Sequence, residues 1–263
     1  FMGALDLGPA GAALGTTLAQ TVSVAVSLFV ILRRDMGVRI QKGDLRPDGA
    51  VMKKILKIGI PVTLQDGFIQ ISFIIITIIA NRRGLTDAAA VGIVEKIIGF
   101  LFLVPSSMLS TVSALGAQNI GAGQARRAAR ALWCGVATSL AAGFIMGWFT
   151  FFHGDILVGL FVDDAAVIAA AWEYLKAYAI DCLFTSFLFC FVGYFNGCGQ
   201  TLFVMVQGLL GAVGIRLPLA FLISRLLPGS IFALGLSSPC STLIQILLCG
   251  FWYVRCRKQW KDA

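Results

Sequence analysis

The chain has 263 residues, of which 58% are hydrophobic and only 13% charged, with a mean hydropathy of +0.88. Soluble globular domains carry about 25% charged residues, so this composition excludes that class and points to an all-α polytopic membrane protein. The net charge of +8 would suit a nucleic-acid partner, but the basic residues sit in short gaps between apolar runs, which is the mark of membrane topology and leaves no nucleic-acid groove.

Seven apolar runs follow one another, at 10–32, 56–80, 90–116, 131–152, 172–196, 202–226 and 231–254. Each approaches the ~20 residues that a spanning helix requires, so about seven transmembrane helices are predicted. Seven cysteines lie mostly inside these runs without a CxxC pair and read as small buried side chains. The chain opens in mid-pattern, with no basic n-region and no signal-peptide cleavage motif, which reads as the later part of a longer protein.

The loops predict orientation. The gaps 33–55 and 117–130 and the tail after Val254 together hold 14 basic residues, against two, Arg82 and Arg83, in the alternate loops. The positive-inside rule places the first set, and hence the C-terminus, in the cytoplasm of a multi-pass cell-membrane protein.

The first run opens on small residues, Gly8, Ala12, Gly15 and Ala19, spaced for close helix pairing. The second contains Pro61, expected to kink the helix or start it afresh, followed by Asp66 and Gln70, four apart on one face. A carboxylate about 18 Å into a span, at ~1.5 Å per residue, lies near the midplane. It reads either as a cation or substrate site or as a group locked in a helix seam. The third run carries Glu95 and Lys96 near its outer end, and Pro105 with Ser106 and Ser107 marks a second break where hydroxyls can satisfy freed carbonyls. The segment from His153, the single histidine, reads as a short interfacial helix leading to the aromatic belt of Trp172, Tyr174 and Tyr178.

The fifth run carries Asp181, which costs at least ~2.5 kcal/mol to bury unpaired. The sixth carries Gln207, Arg216 and Pro218. Arg216 reaches a similar depth from the other side, so an Asp181–Arg216 pair is possible across antiparallel helices. If they pair, Asp181 stays ionised and structural; if Arg216 points elsewhere, Asp181 can carry a proton. The candidate cation or substrate ligands are therefore Asp181, Asp66, Gln70, Gln207 and Glu95, with Arg216 as a structural partner.

The phrases GIPVTLQ, NRRGLTDAAAVGIVEK, VPSSMLSTVSALGAQNIGAGQARRA, GYFNGCGQT and IRLP, in this order, resemble the multidrug and toxic compound extrusion (MATE) family, in its bacterial branch related to the DNA-damage-inducible members. The resemblance implies twelve helices in two six-helix lobes related by pseudo-twofold symmetry. Residues 1–55 would be the last helix of the first lobe and a basic inter-lobe linker, 56–254 the C-terminal lobe and 255–263 a basic cytoplasmic tail. It further implies export of cationic and amphipathic compounds by alternating access, in exchange for protons or sodium and with no other cofactor. The partners would be a lipophilic cation, the bilayer and the N-terminal lobe. Acids in the seventh and tenth helices serve some members; Asp66 falls in the helix matching the seventh and Asp181 in that matching the tenth. A lipid-linked oligosaccharide flippase of the same superfamily and a non-transporting scaffold are the alternatives. An intramembrane enzyme lacks support, because no HExxH or GxSG-like segment is present.

Overall fold

The computed structural model of the chain describes residues 8–33 and 48–259, which form helices throughout with no strand among them. The chain divides into two compact units, residues 1–52 and 53–263. The helices are α1 (Gly8–Arg33), α2 (Gly49–Asn81), α3 (Leu85–Leu101), α4 (Leu103–Gly121), α5 (Ala125–Gly159), α6 (Ala165–Gly197), α7 (Thr201–Leu209), α8 (Leu217–Leu226), α9 (Ile231–Gly235) and α10 (Ser237–Gln259), with a π segment, Leu210–Arg216, joining α7 to α8. Among the described residues six helical stretches are long and apolar enough to cross a membrane, and α3 with α4, bent by 45°, makes a seventh. Each predicted run has its counterpart. Such segments fold as helices because lipid offers no partner for an open backbone group.

The smaller unit contains α1, whose side chains are exposed along nearly its whole length; Thr17 and Thr21 turn their hydroxyls back onto the carbonyls of Ala13 and Thr17. The basic residues Arg34, Arg39, Lys42, Arg46 and Lys261 lie outside the described residues.

In the larger unit the organising element is α6. It is buried over 67% of its spanning window, against 17% for α2, and packs against α3, α4, α5, α7, α9 and α10. Close approach depends on glycine. A Cβ on Gly193 would collide with the Leu109 carbonyl, and one on Gly197 with the Ser113 carbonyl, both on α4. A Cβ on Gly147 of α5 would lie 2.8 Å from the Ala179 carbonyl of α6. Small residues at these crossings allow the backbones themselves to meet.

Two hairpin turns at one end share a GxGQ sequence. Gly123 and Gly199 adopt φ of 71° and 75°, a left-handed conformation that side chains disfavour. The amides of the following Gln124 and Gln200 reach back to the carbonyls of Asn119 and Phe195, at 2.8 and 2.9 Å. These bonds cap the carbonyl ends of α4 and α6 in the Schellman manner.

Several boundaries differ from expectation, each for a local reason. α2 runs unbroken through Pro61 and does not start afresh there. The third span breaks at Phe102, three residues before Pro105. The proline ring excludes the carbonyl four residues back, that of Leu101, from the helical ladder, and Leu101 is the last residue of α3. The freed carbonyl accepts from the Cys182 thiol of α6 at 3.7 Å rather than from a serine hydroxyl; Ser107 donates instead to Leu103. His153, exposed, breaks α5 with φ −132° and ψ 29°, and the Trp172 indole donates to the Phe151 carbonyl at 3.2 Å. α6 begins at Ala165 rather than Trp172, because the Asp164 carboxylate caps the amides of Ala166 and Val167, as N-cap aspartates do. Four cysteines are buried as expected, whereas Cys134 and Cys240 are exposed.

The contrast between crowded and open glycines is testable in the full-length protein. Gly193→Ala is expected to destabilise by about 1–3 kcal/mol through overpacking. Gly92→Ala, where a Cβ meets nothing within 4 Å, is expected to be neutral or to gain up to ~1 kcal/mol of helix propensity. Thermal unfolding of purified protein reads both; equal midpoints for the two variants would dismiss the crossing at Gly193 as a packing constraint.

Candidate functional site

The larger unit encloses a cavity of about 400 Å3. On α6 its lining runs from Asp181 to Asn196, from mid-helix to the last turn. Asp181 stands at the midpoint of the 33-residue α6, Phe102 at the bend of the third span, and Thr242 and Gln245 in α10. Asp181 is consequently deeper than the late start expected for its helix had implied, roughly 24 Å from the first residue of α6 at ~1.5 Å per residue.

α2 turns the stripe Val62, Gln65, Asp66, Ile69 and Phe73 to the cavity, the spacing of one helix face. Gln65 is held there because Gly208 of α7 leaves room for it: a Cβ on Gly208 would lie 2.7 Å from the Gln65 side chain. The π segment follows from its sequence. Pro218 has no amide with which to continue an α-ladder, and the Leu217 amide bonds to the Ala212 carbonyl, five residues back. The wider turn aligns Gly208, Ala212 and Arg216 on the cavity. The Gly211 carbonyl accepts from Ser241 of α10 at 2.7 Å, and Gln245 donates to Ser241 at 3.2 Å. Single π turns of this kind recur at functional sites.

Asp181 is 1% exposed. Its Oδ2 accepts from the Ser238 hydroxyl at 2.9 Å, and Oδ1 has no hydrogen-bond partner. Thr242 lies one turn beyond Ser238, and its hydroxyl donates to the Ser238 carbonyl at 3.1 Å. Behind this pair the hydroxyls of Tyr174 and Tyr178, both buried, meet at 3.2 Å.

Arg216 lines the same cavity but does not pair with Asp181. Among the described residues the one ion pair within 4.0 Å joins Arg83 to Asp87. The guanidinium is instead stacked over the Phe73 ring, 4.9 Å from its centroid, and Nε and Nη1 find no acceptor. Of the two arrangements the sequence leaves open, the direct ion pair is absent among the described residues, and the two side chains line one cavity from different helices.

Of the other expected ligands, Asp66 lines the cavity together with Asp181. Gln70 is exposed and off the lining, and Gln207 is buried behind it with both side-chain polar atoms unpartnered. Glu95 is half-buried away from the cavity, where its carboxylate accepts from Thr77 at 2.7 Å. The amides that do line it are Gln65, Asn196 and Gln245, with Thr185, Thr242 and Ser106 as hydroxyls. Apolar walls come from Phe73, Phe102 and Phe189 and from aliphatic residues, with no methionine. Among the described residues no group of three or more His, Cys, Asp or Glu side chains is placed to hold a metal ion.

The family model MatE matches residues 61–222, which include both carboxylates and Arg216. The chain is 24% identical over 245 residues to the multidrug export protein MepA of Staphylococcus saprophyticus, covering 92% of this chain and 54% of that protein. It is 25% identical over 250 residues to MepA of Staphylococcus aureus strain N315, with the same coverage. The chain therefore spans about half the length of the curated relatives it matches. The crystal structure of a MATE protein in complex with MaL6 superposes on all of this chain and 60% of its own, with a TM-score of 0.89 at 16% identity, and so shares the fold. With ten helices and one π turn among its described residues, this multi-pass membrane protein belongs to the MatE family.

Proposed function

We propose that the chain is the C-terminal half of a cation-coupled antiporter that exports amphipathic or cationic compounds by alternating access. The observation that carries this reading is that Asp66 and Asp181, on separate helices, line one cavity with aromatic walls. Carboxylates at mid-span are costly and mark ion or substrate paths. A lipophilic cation and a coupling ion, proton or sodium, compete for the same carboxylates, so that release of one drives binding of the other. Aromatic faces such as Phe73 and Phe102 add cation–π attraction for a desolvated organic cation. The other half of the protein supplies the surface against which this half rocks. Two carboxylates against one guanidinium favour cation export over a flippase for anionic lipid-linked sugars. The basic gaps favour a cell-membrane protein with a cytoplasmic C-terminus, and kinship with multidrug export proteins favours transport over catalysis.

Full-length protein in proteoliposomes, loaded with a fluorescent cationic dye under an imposed proton or sodium gradient, tests the proposal. Asp181→Asn is expected to lower gradient-driven dye movement by at least tenfold at equal protein level. Equal transport by wild type and variant would remove Asp181 from the coupling site.

Ser238 supplies the hydrogen bond that orients Asp181. Hydrogen bonds to charged groups contribute about 1.5–3 kcal/mol, and Ser238→Ala is expected to lower stability by that order in a wild-type background and by less in an Asp181→Asn background. A double-mutant cycle from denaturant unfolding measures the coupling; a coupling of zero would mean that the two side chains act independently.

A further inference from the structure

Resting on the transport reading, we infer that Tyr174, Tyr178 and Ser238 form a relay that carries protons to Asp181 from the side away from the cavity. None of the three lines the cavity. The two tyrosines belong to an apolar core cluster with Val91, Val94, Ile98 and Leu234, where phenylalanine would satisfy packing alone. Their hydroxyls nevertheless meet each other at 3.2 Å. Tyr178 also hydrogen-bonds the Ser238 side chain, and Ser238 donates to Asp181 Oδ2 at 2.9 Å. Counting protons orders the row, because a hydroxyl has one to donate. Ser238 gives its own to Asp181 and so accepts from Tyr178; Tyr178 in turn accepts from Tyr174. Every donor points toward the carboxylate.

The far end of the row lies ~10 Å from Asp181 along α6, at ~1.5 Å per residue. There the charge of Glu95 acts on Tyr174 from α3. Glu95 is half-buried and sits between the Leu85 end of α3 and the bend at Phe102, on the side that the basic gaps assign to the outside. The other charged groups facing the tyrosines are Arg216 of the π segment and Asp181 itself. In one passage Glu95 gives its proton to the Tyr174 oxygen, while Tyr174 passes its own to Tyr178, Tyr178 to Ser238 and Ser238 to Oδ2. Each O–H bond broken is matched by one formed. Glu95 ends as a carboxylate, Asp181 as a carboxylic acid, and no charge rests on the tyrosines. Oδ1 has no hydrogen-bond partner and is left for an organic cation in the cavity. Proton and cation thus reach one carboxylate by separate routes, and arrival of the first releases the second.

Full-length protein in proteoliposomes is assayed for ethidium movement in two modes. One is driven by an imposed proton gradient; the other exchanges ethidium for ethidium at equal pH on both sides and needs no net proton movement. Tyr174→Phe and Tyr178→Phe each keep the ring and delete one hydroxyl. Both are expected to lower proton-driven transport at least tenfold, a loss in the range that a positioned proton-transfer group accounts for, while exchange stays within about twofold of wild type. Loss of both modes by the same factor overturns the inference and assigns the tyrosines to the fold. Unchanged proton-driven transport in the two variants overturns it as well. Wild type that responds to a sodium gradient and not to a proton gradient overturns it while leaving cation export standing. Wild type that moves no ethidium under either gradient or by exchange overturns the inference and the export reading together.

Discussion

A carboxylate buried at the midpoint of a 33-residue helix sets conditions that the neighbouring elements have to meet. Lipid cannot solvate Asp181, so α6 must be enclosed, and it is the most enclosed span in the larger unit. Enclosure requires the other helices to come within backbone distance, which the glycines at the α4 and α5 crossings permit. It also requires polar groups at the same depth, which α10 supplies through Ser238 and Thr242. Packing and polarity are thus met by different neighbours: α4 and α5 close on α6 through glycine, and α10 carries the hydroxyls that its carboxylate needs.

The irregular backbone collects at the same level. The bend at Phe102 and the π segment ending at Arg216 both contribute to the cavity wall, and a proline lies just beyond each, at 105 and 218. In both cases a carbonyl that the helix ladder releases or strains finds a side chain on another helix: Leu101 takes the Cys182 thiol and Gly211 takes the Ser241 hydroxyl. Non-helical backbone is tolerated at this depth where protein surrounds it, and here that protein is α6 and α10.

How much of this was legible in the sequence depended on the range of the interaction. Helix number and type rest on local apolarity, and all seven runs correspond to spans. Asp66 and Asp181 stood out because an acid in an apolar run is conspicuous wherever it points. Gln70 misled because four residues add ~40° to the direction of Asp66 at 3.6 residues per turn. Asp66 already lies at one edge of the stripe that runs through Val62, Ile69 and Phe73, and the extra rotation carries Gln70 off it. Gln65 was hidden for the converse reason: its place depends on the gap at Gly208, a contact across 143 residues of sequence. The neighbour of Arg216 was not legible, since stacking on Phe73 of α2 is a tertiary contact with no local pattern. Pro105 announced a break, and the shift to Phe102 follows from the proline's clash with the carbonyl four residues back.

The thiol that closes the Leu101 carbonyl has a mechanical consequence. Sulfur is a weak donor, and its 3.7 Å contact is a far looser tie than the amide that Pro105 lacks. Opening or closing the angle between α3 and α4 therefore breaks no further rung of the ladder and gives up little at the joint itself. The third span is two stiff rods meeting at a loosely tied elbow, and the elbow borders the cavity.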